Sequence, residues 1–430
     1  MLDSFSHSVY LGQAQFMPLP RRIAVVSVHS CPLERPGTRN AGGMNIYIRE
    51  TVRAMTSLGI EVDIFTHEHL DRDECPINWL AGCRVIHLPA GPAETAKRDR
   101  LGRLDTFVEG VIEYSRQESR SYEGIVSHYW LSGLAAQRLR EHWDAPHIAG
   151  FHTLTLAKPQ AFRDKQDRSE RVAGEQDVAT HANALLAATD HERDILVADY
   201  GADPHRIVTA PPGVNTQRFR PLGRDRSCHE LGLPSAGFRL LFTGRTIPMK
   251  GIPVLIESLA QLPTDVSAVI VGGSIGDDEQ RFLAETAQRF EVTDRVRFEG
   301  SVPHEHLPLY FGASDLCIVP SYYESYGMVA LEALACGCPV VASQVGGLES
   351  IIDHGVNGLL VPPGSAKALS EAVLQLLGDQ RYRESLAKAG IAKARRCTWE
   401  RATNAILGAL SEHKRMDRPT PDLPIAVAAV

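Results

Sequence analysis

Ser321-Tyr-Tyr-Glu-Ser-Tyr-Gly-Met-Val-Ala-Leu-Glu-Ala-Leu-Ala-Cys-Gly-Cys-Pro-Val-Val341, with Asp315-Leu-Cys-Ile-Val-Pro320 before it, reads as strand, loop, helix and second strand. The apolar run up to Pro320 has the unbroken hydrophobicity of a strand buried on both faces of a parallel sheet. Gly327 starts a stretch of good helix formers, Met328 to Ala335, closed by Gly337 and Pro339. A loop feeding a helix start exposes unpaired backbone N–H groups at the positive end of the dipole, which suits a phosphate. Glu324 falls in that loop, within reach of sugar hydroxyls. Glu332 falls eight positions later, inside the helix, where its carboxylate can take both hydroxyls of a ribose. The pair would grip the two ends of a sugar nucleotide around its diphosphate.

The same alternation extends in both directions. Ile23–Val28, Val62–Phe65, Arg84–Leu88, Gly124–Ser127, Pro146–Gly150 and Ala184–Ala187 read as strands, with helical patterns at Gly43–Leu58, Leu101–Glu118 and Ser132–Glu141. The rhythm breaks at Thr209-Ala-Pro-Pro-Gly-Val214, a domain boundary or hinge. A second series follows, with strands at Phe238–Phe242, Val266–Val271, Arg295–Phe298, Leu316–Val319 and Pro339–Val341. The fold class is therefore α/β, with two doubly wound Rossmann-like domains and a ligand cleft between them at the strand C-termini.

A length of 430 residues fits two domains, and 43% hydrophobic with 23% charged residues fits a globular protein. The net charge of -7 and the lack of a long basic run give no attraction to nucleic acid or anionic lipid. No apolar stretch reaches the length of a membrane span. The first twenty residues lack a signal-peptide pattern. The eight cysteines are scattered without zinc or disulfide spacing, as in a cytoplasmic enzyme, and Cys336-Gly-Cys338 reads as small core packing.

Three further segments carry chemistry. Gly244-Arg-Thr-Ile-Pro-Met-Lys-Gly251 lies between a strand and a helix, so Arg245 and Lys250 can neutralise a departing diphosphate. Gly42 and Gly43 open a helix and let a ligand approach the backbone, with their N–H groups near a phosphate. Gly272-Gly-Ser-Ile-Gly276 lacks the spacing and acidic partner of a dinucleotide fingerprint. Asp71-Arg-Asp73 has no supporting ligands and reads as surface, so no metal site is expected.

The spacing Glu324 to Glu332, with Pro320-Ser321, Ser325, Gly327, Ala333 and Pro339 around it, resembles the E-x7-E element of retaining GT-B glycosyltransferases of the family-four group. Gly244–Gly251 resembles their G-R-x4-K-G element. Gly42-Gly-Met-Asn-Ile-Tyr47, Ser127-His-Tyr-Trp-Leu-Ser-Gly133 and His152-Thr-Leu154 resemble segments of a narrower group, the D-inositol-3-phosphate N-acetylglucosaminyltransferases of mycothiol biosynthesis. The resemblance runs from about Arg22 to Glu412.

It implies a metal-independent, retaining enzyme without cofactor, with front-face attack assisted by the leaving phosphate. The donor is a nucleotide sugar, UDP-GlcNAc-like and UDP in preference to GDP, held by Gly42, Gly43, Arg245, Lys250, Glu324, Ser325, Tyr326, Gly327, Met328, Val329 and Glu332. His152, Arg245, Lys250 and Glu324 would act at the reacting centre. Asn45, Lys97, Tyr129, Thr153 and Arg171 would hold a small anionic acceptor such as inositol 3-phosphate, a set chemically suited to that charge. The implied organisation is a disordered extension over 1–20, an acceptor-binding domain over 21–212, a donor-binding domain over 213–395, a helix over 396–414 crossing back to the first domain, and a disordered tail over 415–430. A homodimer is compatible with the sequence.

Two features depart from the mycothiol pattern. Arg39-Asn40-Ala41 replaces an acidic residue before the glycine pair, and the segment Lys158–Glu175 is shortened and basic, with Arg163, Lys165, Arg168 and Arg171. They admit a specialised-metabolite glycosyltransferase with another anionic acceptor, or a GDP-sugar donor. A nucleotide-sugar epimerase or a silent sugar-nucleotide binder are the alternatives outside transfer, and a Rossmann dehydrogenase is the remotest.

Overall fold

The structure, a computed structural model, describes residues 8–9, 17–34, 41–67, 75–88, 101–162 and 168–416. Lys97, Arg39, Asn40, Arg163, Lys165, the Asp71-Arg-Asp73 loop and the tail beyond residue 416 lie outside those residues, as does most of the N-terminal extension. Within that extension β1 (Ser8–Val9) pairs antiparallel with β2 (Met17–Pro18).

The first sheet holds β3 (Arg22–Ser27), β4 (Glu61–His67), β5 (Ile77–Leu80), β6 (Cys83–Leu88), β7 (Ile125–His128), β8 (His147–Gly150), β9 (Ala184–Ala187) and β10 (Ile207–Thr209). Their order is β10-β9-β8-β7-β3-β4-β6-β5, parallel throughout except for β5 against β6. The second sheet holds β11 (Phe238–Thr243), β12 (Val266–Val271), β13 (Val296–Gly300), β14 (Leu316–Val319), β15 (Val340–Ser343) and β16 (Gly358–Val361), all parallel, in the order β13-β12-β11-β14-β15-β16. Central strands such as β3 and β14 are buried almost end to end, which is why they read as continuous apolar runs. The short strands β5, β10 and β16 escape the hydrophobic pattern because they lie at or near sheet edges or span three or four residues.

Each sheet reverses its strand order once, between β3 and β7 in the first and between β11 and β14 in the second. Loops leaving adjacent strands at a reversal diverge to opposite faces and leave a crevice at the strand C-termini. Tyr129 follows β7, Gly244-Arg245 follows β11, and the Glu324 loop follows β14. The fold therefore brings to one place the segments that the sequence separates by up to two hundred residues.

The chain passes between the two sheets at 212–214 and returns at 397–399. The Val214 N–H donates to the Cys397 carbonyl at 2.9 Å, and a Cβ on Gly213 would lie 2.3 Å from the Thr398 backbone. The last helix, Trp399–Met416, then packs on the helix Gly43–Ser57, burying Trp399, Ala402, Ile406 and Leu410 in the core of the first sheet.

Candidate active site

One cleft between the sheets is lined by residues of both. On the second-sheet wall, Lys250 ends a 3-10 turn, Pro248–Lys250, and its Nζ meets Glu324 Oε1 at 2.5 Å. Ser321 Oγ donates to the same oxygen at 3.1 Å. The two loops are joined through the backbone as well, the Tyr322 N–H donating to the Met249 carbonyl at 2.9 Å. Gly251 makes this possible: it has a φ of +65°, and a Cβ there would stand 2.0 Å from the Pro320 carbonyl oxygen. Arg245 also lines the cleft. Burial pulls its guanidinium below the usual arginine range while Glu324 and Tyr129 act in the opposite sense, and it remains a cation at neutral pH.

Gly327, at φ +105°, caps the helix Met328–Ala335 at its N-terminus, and Glu324, Ser325, Tyr326, Gly327, Met328 and Val329 all line the cleft. Glu332, in the second turn of that helix, is buried and accepts from His304 Nε2 at 2.6 Å. Tyr326 spends its hydroxyl on the Pro212 carbonyl, 3.0 Å away in the linker.

The first-sheet wall is closed by Gly42 and Gly43, which pack against the opposite wall. A Cβ on Gly42 would lie 3.6 Å from Arg245 Nε, and one on Gly43 3.3 Å from Met328 Sδ. Asn45 lines the cleft but spends its amide inside the protein. Its Nδ2 donates to Ser30 Oγ and the Cys31 carbonyl, both at 2.8 Å, and its Oδ1 accepts from the Gly42 N–H at 3.0 Å. Its observed contacts thus hold the glycine loop in shape.

Tyr129 and His152 line the cleft from the ends of β7 and β8, both at positive φ, +77° and +59°. For side chains other than glycine such backbone costs about 1–3 kcal/mol each and persists only where the surroundings enforce it. Thr153 lines the cleft beside them. Arg171 is not on the lining. Its guanidinium stacks 4.8 Å over the Tyr129 ring, donates to Glu175 Oε1 at 2.7 Å and to the Thr153 carbonyl at 2.8 Å, and so backs both of these cleft residues.

His152 Nε2 pairs with His128 Nδ1 at 2.8 Å. Burial holds the His152 imidazole down at about 4, and burial, then the neighbouring His152, holds His128 well below the usual histidine range, so both rings are neutral at pH 7. His152 is thus a neutral hydrogen-bonding group.

The site contains polar residues that motif reading missed. His128 sits inside the quoted Ser127–Gly133 segment without a visible role, because its partner comes from another strand. His304 lies 28 residues from Glu332, with no periodicity to connect them. Glu192 also lines the cleft, fully buried in the first turn of the helix Asp190–Tyr200, where it accepts from the Ala188 N–H at 2.7 Å. Burial raises its carboxyl to about 7. Among the described residues no group of three or more His, Cys, Asp or Glu is placed to hold a metal ion, and no helix is long and apolar enough to cross a membrane.

Comparison with known proteins decides the family. Residues 42–213 match the family described as glycosyl transferase 4-like domain, and residues 224–393 match glycosyl transferases group 1. A D-inositol 3-phosphate glycosyltransferase of Xylanimonas cellulosilytica is 39% identical over 397 residues, covering 90% of this chain and 95% of that protein. The chain belongs to the GT-B glycosyltransferases. The D-inositol 3-phosphate glycosyltransferase of Salinispora tropica is 38% identical over 420 residues, 92% of this glycosyltransferase and 87% of the relative. Among solved structures, a sucrose-phosphate synthase from Thermosynechococcus elongatus superposes with a TM-score of 0.84 at 32% identity, covering 93% of this chain and 100% of that one.

Proposed function

We propose that this glycosyltransferase moves a hexose-type sugar, with retention of configuration, from a UDP-sugar such as UDP-GlcNAc to a phosphorylated polyol such as inositol 3-phosphate. The observation that carries the reading is the single cleft in which Arg245, Lys250, Glu324 and Glu332 face Tyr129, His152 and Thr153. The first group suits a nucleoside diphosphate, the second a small polar acceptor. The relatives support a phosphorylated acceptor: the curated ones are named for inositol 3-phosphate, and the solved neighbour is named for a phosphorylated product, sucrose phosphate.

In the proposed complex the diphosphate takes the Lys250 ammonium away from Glu324, and the released carboxylate turns to hydroxyls of the sugar. Arg245 and the N-terminal amides of the helix Met328–Ala335 hold the remaining phosphate charge. Glu332 takes the ribose. The acceptor hydroxyl attacks the anomeric carbon on the face that the diphosphate leaves. Its oxygen forms the new C–O bond as the bond to the leaving phosphate breaks, and its proton passes to a phosphate oxygen. The two cations stabilise the charge that develops there, so the chemistry requires neither a protein nucleophile nor a metal. Neutral His152 hydrogen-bonds the sugar without adding charge. Arg171, through Tyr129 and the Thr153 backbone, holds the acceptor wall in place.

The test is a matrix of UDP- and GDP-sugars against inositol 3-phosphate, hexose phosphates and unphosphorylated polyols, with products read by mass spectrometry and EDTA present in a parallel set. The reading predicts a phosphorylated product, the α-anomer from an α-linked donor, at an unchanged rate in EDTA. Exclusive glycosylation of an unphosphorylated acceptor would overturn it. A product with hexose 6-phosphate and none with inositol 3-phosphate would favour the second reading, suggested by the 32% identity to the sucrose-phosphate synthase: a sugar-phosphate acceptor in the same cleft.

A further inference from the structure

Glu332 does not stand alone in the cleft. His304, the first residue of the 3-10 turn His304–His306, brings Nε2 to 2.6 Å from Glu332 Oε1, and both side chains are nearly closed to solvent. A carboxylate only accepts, so Nε2 carries the hydrogen. Among the described residues this imidazole is the only hydrogen-bond partner of that carboxylate. The imidazole is itself wedged: its ring lies 5.1 Å from that of Phe219, tilted by 54°, and Phe219 is buried in the core of the second sheet. The nearby thiols of Cys317 and Cys336 are pushed up by burial and then by the Glu332 charge, so they stay uncharged beside the carboxylate. Phe219, His304 and Glu332 come from three distant stretches of chain and converge on one carboxylate that lines the cleft.

A glutamate on a helix has three rotatable bonds, and gripping two neighbouring hydroxyls requires the carboxylate plane to be fixed. One lone pair of Oε1 is committed to His304, which leaves Oε2 and the second lone pair of Oε1 for a ligand. We propose that His304 is a positioning residue for the donor ribose: its Nε2–H sets the plane of the Glu332 carboxylate so that both oxygens meet the 2′- and 3′-hydroxyls, and the enzyme thereby selects ribonucleotides over 2′-deoxyribonucleotides. The proposal rests on the reading of Glu332 as the ribose ligand, and the experiment separates the two.

Titration calorimetry measures UDP, GDP and their 2′-deoxy forms against the full-length enzyme and the variants E332Q, H304F and H304Q, each checked by thermal melting. The wild type is expected to bind the better ribonucleoside diphosphate about tenfold or more tighter than its deoxy form, because a site built for a hydroxyl is left with unpaired groups when it is missing. E332Q removes that preference. H304F, which keeps the ring and loses the N–H, reduces it to within about threefold, while H304Q, whose amide still donates, retains most of it. H304L replaces H304F if the latter does not fold. The Michaelis constant for the acceptor stays at its wild-type value in all the folded His304 variants. A preference lost in E332Q but kept in H304F or H304L overturns the role of His304 and leaves that of Glu332. A wild type with no preference, or one that survives E332Q, overturns the ribose reading itself, and failure of both UDP and GDP to bind overturns both.

Discussion

On the second-sheet wall of the cleft Arg245, Lys250 and Glu324 sit on loops leaving central strands. They are pinned by backbone contacts such as Gly251 against Pro320, and their charges are satisfied within the wall, as Lys250 is by Glu324. On the first-sheet wall the facing residues are largely neutral. Tyr129 and His152 stand on backbone at positive φ, and the cation Arg171 is set one layer back. One wall is a charge device on relaxed geometry and the other a shape device on strained geometry. A nucleoside diphosphate calls for the first. An acceptor hydroxyl that must arrive at one angle calls for the second.

Removing a charge should therefore cost most on the second-sheet wall. Lys250→Ala is expected to lower kcat by about 10²–10³-fold, the usual cost of losing one preorganised group that stabilises developing charge, with an unchanged melting curve. Near-normal turnover would exclude Lys250 from the mechanism. The rigidity of the same wall is tested next by Gly251→Ala, which forces a Cβ into the Pro320 carbonyl at a φ of +65°. A loss of about 2–4 kcal/mol in urea unfolding is expected, with weaker UDP binding. An undiminished unfolding midpoint would show that the two loops are not locked. Across the cleft, Tyr129→Phe should raise the Michaelis constant for the acceptor about tenfold and leave that for the donor alone, as for one lost hydrogen bond to a charged ligand. Equal changes for both substrates would dissolve the division into two walls.

The smallest expected change is one of slope. His152 titrates near 4 in the folded protein, against about 6.5 when unfolded. Between those values the unfolded chain binds the proton and the native protein does not, so stability falls as pH falls from 6.5 towards 4. His147, held down at about 3 by burial, acts in the same direction. Glu192, raised to about 7, opposes them between about 4.5 and 7, where the native state holds the extra proton. Unfolding free energies of His152→Gln from urea titrations between pH 7.5 and 5 should fall less steeply than those of the wild type, by up to about 1.4 kcal/mol per pH unit. Identical slopes would show that the His152 ring is not held neutral.

The contrast between the walls also explains what could be read beforehand. Glu324, Glu332, Arg245 and Lys250 lie at short fixed spacings within strand-loop-helix units, so their placement follows from local structure that hydrophobic patterning already reveals. The doubly wound sheets were legible for the same reason, down to most strand positions. The first-sheet wall depends on tertiary meetings. His128 meets His152 only because β7 and β8 are neighbours, and Arg171 reaches Tyr129 only because the helix Arg168–His181 folds back over it. The donors of Asn45 turn inward to Ser30 and Cys31, a choice that no spacing could announce. Glu192 hides as a helix-start glutamate, and His304 as one of two histidines on a short turn.

The touching passes at 212–214 and 397–399 have a mechanical consequence. Two cords fastened side by side constrain the halves more than one would: sliding and twisting are resisted by the Gly213–Thr398 contact and by the helix Trp399–Met416 clamped to the first sheet. The two walls are thereby held in register, with Tyr129 and His152 on one side and Lys250 and Glu324 on the other. A long flexible tether would lose that alignment at each turnover.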